Sequence, residues 1–185
     1  MEKLIFRIFL FYENYFLKRK VALMNKFYLS TASIGENVKF LGKGTVFNPE
    51  NLNIGDNCRI GNNFFIHAKG KVSIGEGTII SRNVCIYSCN HDFKSNTHLP
   101  YDNHYIEKEV IVGKAVWIGM NVNITPGVVI GDGAIIGMGS TISKDVPSNA
   151  IVVSGTQRIV GYRNDKESIN LILKQSYFAK DFPNL

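Results

Sequence analysis

The feature that most restricts what this chain can fold into is a recurrence of β-branched aliphatic residues at every sixth position. From Val112 the series runs Val112, Ile118, Ile124, Ile130, Ile136 and Ile142, and the residues that follow, Gly113, Gly119, Thr125, Gly131, Gly137 and Ser143, are all small. An earlier series, Ile54, Ile60, Ile66 and then Ile74, Ile80, Ile86, is followed by Gly55, Gly61, His67, Gly75, Ser81 and Tyr87. The step from Ile66 to Ile74 is eight, which predicts a two-residue bulge at Lys69-Gly70-Lys71. Ile34, Phe40, Val46 and Leu52 start the array less regularly.

A period of six fits neither a 3.6-residue helix nor a long alternating strand. It predicts a triangular solenoid of short strands and tight corners, with three hexads, about 18 residues, in each coil. The aliphatic residue points into the prism and the small residue sits where the backbone turns. One coil cannot bury its own face, so coils must stack, strand on strand, at about 4.8 Å. Residues 32–92 and 110–160 supply roughly six such coils.

Composition agrees with one folded unit. The chain has 185 residues, 45% of them apolar and 19% charged, which excludes a disordered tail-like protein. The net charge of +6 leans towards an anionic partner, but the basic residues form no long run, so no nucleic-acid-binding arm is expected. The three cysteines, Cys58, Cys85 and Cys89, are an odd count that suits a reducing cytoplasm better than a disulfide framework. Cys85-x3-Cys89-x-His91 lacks a matching second pair, and no metal is expected there.

Residues 1–30 form a separate helical segment. Leu4, Ile5, Ile8, Phe9, Leu10, Phe11, Tyr12, Tyr15 and Phe16 are interrupted by Arg7 and Glu13, far short of the roughly 20 apolar residues of a membrane-spanning helix. No small-residue cleavage site follows, so a signal peptide is not expected. Six basic residues against two acidic ones leave +4 on this segment. A basic, aromatic helix suits peripheral contact with an anionic membrane through residues 1–27, or packing on the first coils or a neighbouring subunit. Residues 164–185 read as a C-terminal helix and tail, capped by Asn164 or Asp165 with Glu167 in its first turn, and with an apolar stripe of Ile169, Ile172, Leu173 and Tyr177.

The array is broken between Ile86 and Val112, and the excursion over residues 87–111 holds three of the four histidines, His91, His98 and His104. A long loop on a regular scaffold is where chemistry is placed. Histidine serves as a base near neutral pH, as removal of a hydroxyl proton during acyl transfer requires. His67 also stands out, because it replaces the small residue of its hexad after the pair Phe64-Phe65. Either a corner role or a hydrogen bond to a ligand would account for it.

From about Ile34 to Arg163, and most densely from Val112 to Pro147, the sequence resembles the hexapeptide-repeat acyltransferases, in particular the sugar O-acetyltransferase branch that includes maltose and galactoside acetyltransferases and polysaccharide-modifying relatives. The resemblance implies a mainly β fold, a left-handed parallel β-helix over residues 31–163. It also implies acetyl-CoA as co-substrate, a saccharide acceptor, and a homotrimer with active sites between subunits. His91, in Asn90-His91-Asp92, holds the position of the family's general base. The resemblance further assigns Trp117, Gly119, Met120, Gly137, Met138, Gly139, Ser143, Lys144 and Arg158 to the coenzyme. It assigns His67, Phe65 and Asn90 to the acceptor, and the aromatic Tyr101, with Phe93 and Tyr105, suits a sugar face. Met120 and Met138 stand where the family has small residues, and the closing turn, Ser154 to Gln157, lacks the family's proline. The expectation is a cytoplasmic enzyme of surface or capsular polysaccharide modification. The alternatives are a γ-carbonic anhydrase-like zinc lyase on the same fold, an N-acetyltransferase acting on an amino sugar, and a non-catalytic scaffold.

Overall fold

The computed structural model describes residues 5–12, 15, 16, 19, 23, 26, 29–92, 94, 100, 101, 103–153, 158–162, 165–177 and 180. The hexads fold as expected, into short strands that stack in three parallel sheets. The first coil contributes β1 (Ser33–Ile34), β2 (Lys39–Phe40) and β3 (Gly44–Phe47). The second contributes β4 (Leu52–Ile54), β5 (Arg59–Ile60) and β6 (Phe64–His67), and the third β7 (Val72–Ile74), β8 (Ile79–Ile80) and β9 (Cys85–Tyr87). An excursion carries the antiparallel pair β10 (Cys89–His91) and β11 (Tyr105–Glu107). The solenoid resumes with β12 (Val110–Val112), β13 (Trp117–Ile118) and β14 (Asn123–Ile124), then β15 (Val129–Ile130), β16 (Ile135–Ile136) and β17 (Thr141–Ile142). It closes with β18 (Ala150–Val153), against which β19 (Arg158–Tyr162) runs antiparallel.

The first sheet is β1-β4-β7-β12-β15, the second β2-β5-β8-β13-β16-β18-β19, and the third β3-β6-β9-β14-β17. Each inward aliphatic sits directly above its counterpart: Ile60 on Ile80, Ile80 on Ile118, Ile118 on Ile136. The hexad residues from Ile54 to Ile142 are buried to 2% exposure or less, and each contributes about 1.5–3 kcal/mol by leaving water. Ile34 and Phe40, in the terminal coil, are only partly buried.

Two details differ from the expected repeat. Equivalent corners of the first three coils are 20 residues apart, as in Asn37–Asn57 and Asn63–Asn83, and only the later coils have the 18-residue spacing seen for Lys114 and Asp132. The extra residues always fall at the corner between the third sheet and the first. There the chain makes a one-turn 3-10 helix at Pro49–Asn51, then the turn at Lys71, then the excursion. Ile54, in register with Ile34, is consequently the hexad residue, rather than Leu52, which pairs with Val72 and is buried beside it.

The second difference concerns how corners turn. The small residue after each aliphatic lets coils approach: a Cβ on Gly75 would lie 2.5 Å from the carbonyl carbon of Gly113. The turn itself is made two residues later, in left-handed backbone held mostly by asparagine, with φ of 53–58° at Asn37, Asn57, Asn63, Asn83 and Asn121. Asparagine tolerates this region better than other residues with a Cβ. Its amide then links coils, Asn63 Nδ2 donating to Asn83 Oδ1 at 3.0 Å and Asn83 Nδ2 to Asn121 Oδ1 at 2.9 Å.

The N-terminal helix α1 is seen at residues 5–12, 15, 16, 19, 23 and 26, and these described residues are exposed. Phe9, Phe11 and Phe16 are 59–68% exposed, and the core begins at Leu29. Among the described residues no helix is long and apolar enough to cross a membrane. The C-terminal helix α2 spans Asp165–Leu173, shorter than expected, and Ile169 and Leu173 of its stripe are exposed. The chain docks instead through Tyr177, which is buried with its ring against Gly77. Its cap residue Asn164 and the side chain of Glu167 lie outside the described residues, as do Phe93, His98 and the turn from Ser154 to Gln157.

Candidate active site

Side chains alternate along β6 and β9, so Phe64, Ile66 and Ile86 point inward while Phe65, His67 and Tyr87 face outward. Phe47, His67 and Tyr87 therefore form one outward row across three coils, because β3 pairs with β6 and β6 with β9 in strict register. The excursion folds over this row. Its neck is closed by Ser88, fully buried, whose hydroxyl donates to the His67 carbonyl at 2.8 Å and accepts from Gly70 N–H at 2.9 Å. The Ser88 carbonyl accepts from Lys108 N–H at 2.8 Å, and Lys69 Nζ pairs with Glu107 at 3.6 Å. These bonds tie both ends of the excursion to the second and third coils.

Under the excursion lies an open cavity of about 420 Å³ lined by Phe47, Phe65, His67, Tyr87, Cys89, Asn90, His91 and Tyr105. That volume is in the range of small-molecule sites. The His91 ring stacks on Tyr101 at 3.9 Å between centroids and leans on Tyr105 at 4.5 Å. Its Nδ1 is buried with no hydrogen-bond partner among the described residues, where the ring's contacts are aromatic. Asp92, its sequence neighbour, accepts from Lys94 N–H at 3.0 Å instead. Asn90 Oδ1 accepts from His91 N–H at 2.9 Å and fixes the turn into the ring. His67 Nδ1 is 3.5 Å from Cys89 Sγ. Burial, with the nearby charges of Lys69 and His91, holds the His67 imidazole below its usual range, and burial pushes the Cys89 thiol up.

His91, His67, Phe65 and Asn90 thus meet in one cavity. Tyr101 is not among the lining residues; it stacks on His91 with one face and is 46% exposed. His104 is exposed, and its carbonyl accepts from Asp92 N–H at 3.1 Å. Among the described residues no group of three His, Cys, Asp or Glu is arranged to hold a metal ion. Tyr105, expected to suit a sugar face, also lines the cavity, and so do Phe47, Tyr87 and Cys89, which are not among the expected residues. The signal for two of them was present, since Phe47 and Tyr87 fill the post-aliphatic position that is small in most hexads.

Most of the residues assigned to the coenzyme lie away from the sheet that bears the cavity. Trp117, Gly119, Gly137 and Arg158 belong to the second sheet or its edge, and Met120, Met138 and Gly139 to the next corner. Trp117 and Met138 are 53% and 66% exposed. Gly139, with φ of 73°, has open space where a Cβ would stand, whereas a Cβ on Gly119 would lie 2.6 Å from Met138 N, so the latter glycine serves coil stacking. Ser143 and Lys144 follow β17, with Ser143 beyond Thr125 in the continuation of the Phe47-His67-Tyr87 row. A single chain therefore presents the His91 cavity on one face, with Ser143 further along the same sheet, and the Trp117 surface on another.

Comparison with known proteins places this architecture. Residues 109–144 match the family described as bacterial transferase hexapeptide (six repeats), and residues 31–68 and 51–88 match the hexapeptide repeat of succinyl-transferase. A maltose O-acetyltransferase from Clostridium difficile 630 is 28% identical, with a TM-score of 0.62 over 72% of this chain and 70% of that one. A galactoside acetyltransferase in complex with coenzyme A is also 28% identical, with a TM-score of 0.67 over 79% of this chain and 70% of that one. A variant of AntD, an N-acyltransferase from Bacillus cereus in complex with dTDP-4-amino-4,6-dideoxyglucose and coenzyme A, is 25% identical, with a TM-score of 0.57 over 77% of this chain and 91% of that one. With its repeats matched on both sides of the excursion and its coils stacked in register, the chain belongs to the hexapeptide-repeat transferases.

Proposed function

We propose that this protein transfers an acetyl group from acetyl-CoA to a hydroxyl of a saccharide acceptor, with His91 as general base. The observation that carries the reading is the placement of His91, packed between Tyr101 and Tyr105 at the wall of an aromatic cavity that also holds His67 and Asn90. The acceptor hydroxyl attacks the thioester carbonyl while an imidazole nitrogen of His91 takes its proton. The tetrahedral intermediate collapses, the carbon–sulfur bond breaks, and the proton passes to the departing thiolate. Asn90 and the neutral His67 ring are donors within the same cavity for the acceptor or the oxyanion.

Trp117, Gly119, Gly137 and Arg158 belong to another sheet, or its edge, than the His91 cavity, which suits a homotrimer in which the Trp117 surface of one subunit faces the His91 cavity of the next. Lys144 and Arg158 suit the coenzyme phosphates. The saccharide reading is supported by the maltose and galactoside enzymes among the solved relatives, and is consistent with modification of a surface polysaccharide from the cytoplasmic side. An amino sugar as acceptor is the second reading, favoured by the likeness to an amino-sugar N-acyltransferase.

The test is His91→Gln assayed with labelled acetyl-CoA against neutral sugars and amino sugars. The expected result is an ester product and a loss of about 10²–10⁴ in kcat with the fold intact. Retention of more than half the turnover removes His91 from the reaction, and amide product alone selects the amino-sugar reading.

A further inference from the structure

The outward row above the third sheet changes character along the solenoid. In the first three coils it is Phe47, His67 and Tyr87, with Phe65 standing between Thr45 and Cys85 in the column beside them; Phe65 stacks on Tyr87 at 5.3 Å and 22°, and Phe47 meets Phe65 at 5.6 Å. In the fourth and fifth coils the equivalent rungs are Asn123, Thr125, Thr141 and Ser143. Fold alone does not demand the aromatics, because the same sheet is built without them in the later coils. Phe47 and Tyr87 remain 49% and 39% exposed, a contiguous apolar surface of the kind that marks a ligand site. The three rings run continuously into the cavity that holds His91.

We propose that the acceptor site extends from His91 along the solenoid axis as a platform of three aromatic rungs, Tyr87, Phe65 and Phe47, and that it takes a neutral saccharide of at least two sugar rings. This rests on the saccharide reading above and specifies its substrate. Length sets the minimum size. Phe47 lies two coils below the one that bears the excursion, roughly 10 Å at the usual strand spacing, beyond the reach of one ring held at His91. Chemistry sets the class. A sugar offers an apolar C–H face to an aromatic ring while its hydroxyls stay free for Asn90 and His67, which line the same cavity. No charged side chain is among the described lining residues, and Lys69 at the rim is paired with Glu107, so nothing there compensates a carboxylate or phosphate.

The experiment compares kcat/KM for methyl glycosides with that for the corresponding neutral tetrasaccharides, in wild type, Phe47→Ala and His91→Gln, together with calorimetric binding of the tetrasaccharides. Wild type is expected to prefer a tetrasaccharide at least ten-fold. Phe47→Ala is expected to collapse that ratio, and His91→Gln to lower both rates alike while leaving tetrasaccharide binding in place. Phe47-dependent binding of a tetrasaccharide without any acetylation keeps the platform and overturns the reaction. Acetylation with a ratio near one, untouched by Phe47→Ala, overturns the platform and keeps the reaction. A Phe47→Ala variant whose only defect is a weakened oligomer assigns the rings to a subunit interface, which also overturns the platform.

Discussion

Asn83 is the middle member of the corner ladder, and replacing it separates two effects that the sequence merges in one residue. Its φ of 58° lies in the left-handed region, and its amide both accepts from Asn63 at 3.0 Å and donates to Asn121 at 2.9 Å. Asn83→Ala keeps a Cβ in that conformation at a cost of about 1–2 kcal/mol. It also removes two hydrogen bonds which, being solvent-exposed, are worth about 0.5 kcal/mol each, at the low end of the usual range. The expected loss is about 2–3 kcal/mol. Asn83→Gly loses the same bonds but escapes the backbone penalty, and adds only the greater entropy of its unfolded chain, so about 1.5–2 kcal/mol is expected. Urea unfolding followed by circular dichroism, at one protein concentration so that oligomer mass action is constant, reads both values. If the alanine variant is as stable as the glycine variant, or more so, the left-handed corner is not what selects asparagine here and the argument fails.

Two further outcomes follow from other parts of the fold. Cys58 is fully buried, its thiol 3.2 Å from the Gly75 carbonyl, and burial pushes its pKa up to about 11 from an ordinary 9.0. A raised folded-state pKa means that its contribution to stability is complete below pH 9 and is lost as the pH climbs towards 11, so the melting temperature of wild type should fall across that window more steeply than that of Cys58→Ala. For the N-terminal helix, exposed aromatics together with a +4 charge predict cosedimentation with vesicles containing anionic lipid, weakened by salt and abolished by deleting residues 1–27. A deletion that breaks the oligomer, in a protein that never bound vesicles, assigns the helix to a neighbouring subunit instead.

The solenoid was legible because each inward aliphatic stands at a fixed interval and is flanked by residues that cannot fill a core. The 20-residue coils were harder to read. Leu52-Asn53-Ile54 alternates, so both aliphatics face inward and either one continues the count. The ladder asparagines were overlooked because the glycine beside each aliphatic seemed sufficient to make the turn. In the candidate site, His91 and His67 were legible as departures from the repeat. Phe47 also departs from the small post-aliphatic residue, but in the irregular first coil, and the stacking of Tyr101 on His91 has no signature in a linear sequence. The separation of Trp117 from His91 reflects the prism itself, since successive hexads belong to successive faces and closeness along the chain does not bring them to one surface.

Two corners of the triangle keep six-residue spacing through the repeats from the first coil to the fifth, while the third admits a 3-10 turn, a two-residue insert and the entire excursion. The strands on either side of the excursion still pair in register, Ile74 with Val112 and Ile86 with Ile124, as though nothing intervened. That corner behaves as a socket. Whatever polypeptide is plugged in between Ser88 and Lys108 is invisible to the stacking of the coils, provided that the Ser88 clamp is kept. Transplanting residues 89–107 from one relative to another should therefore cost little in stability while exchanging the part of the cavity wall that Cys89, Asn90, His91 and Tyr105 supply, and the rings on the prism stay fixed.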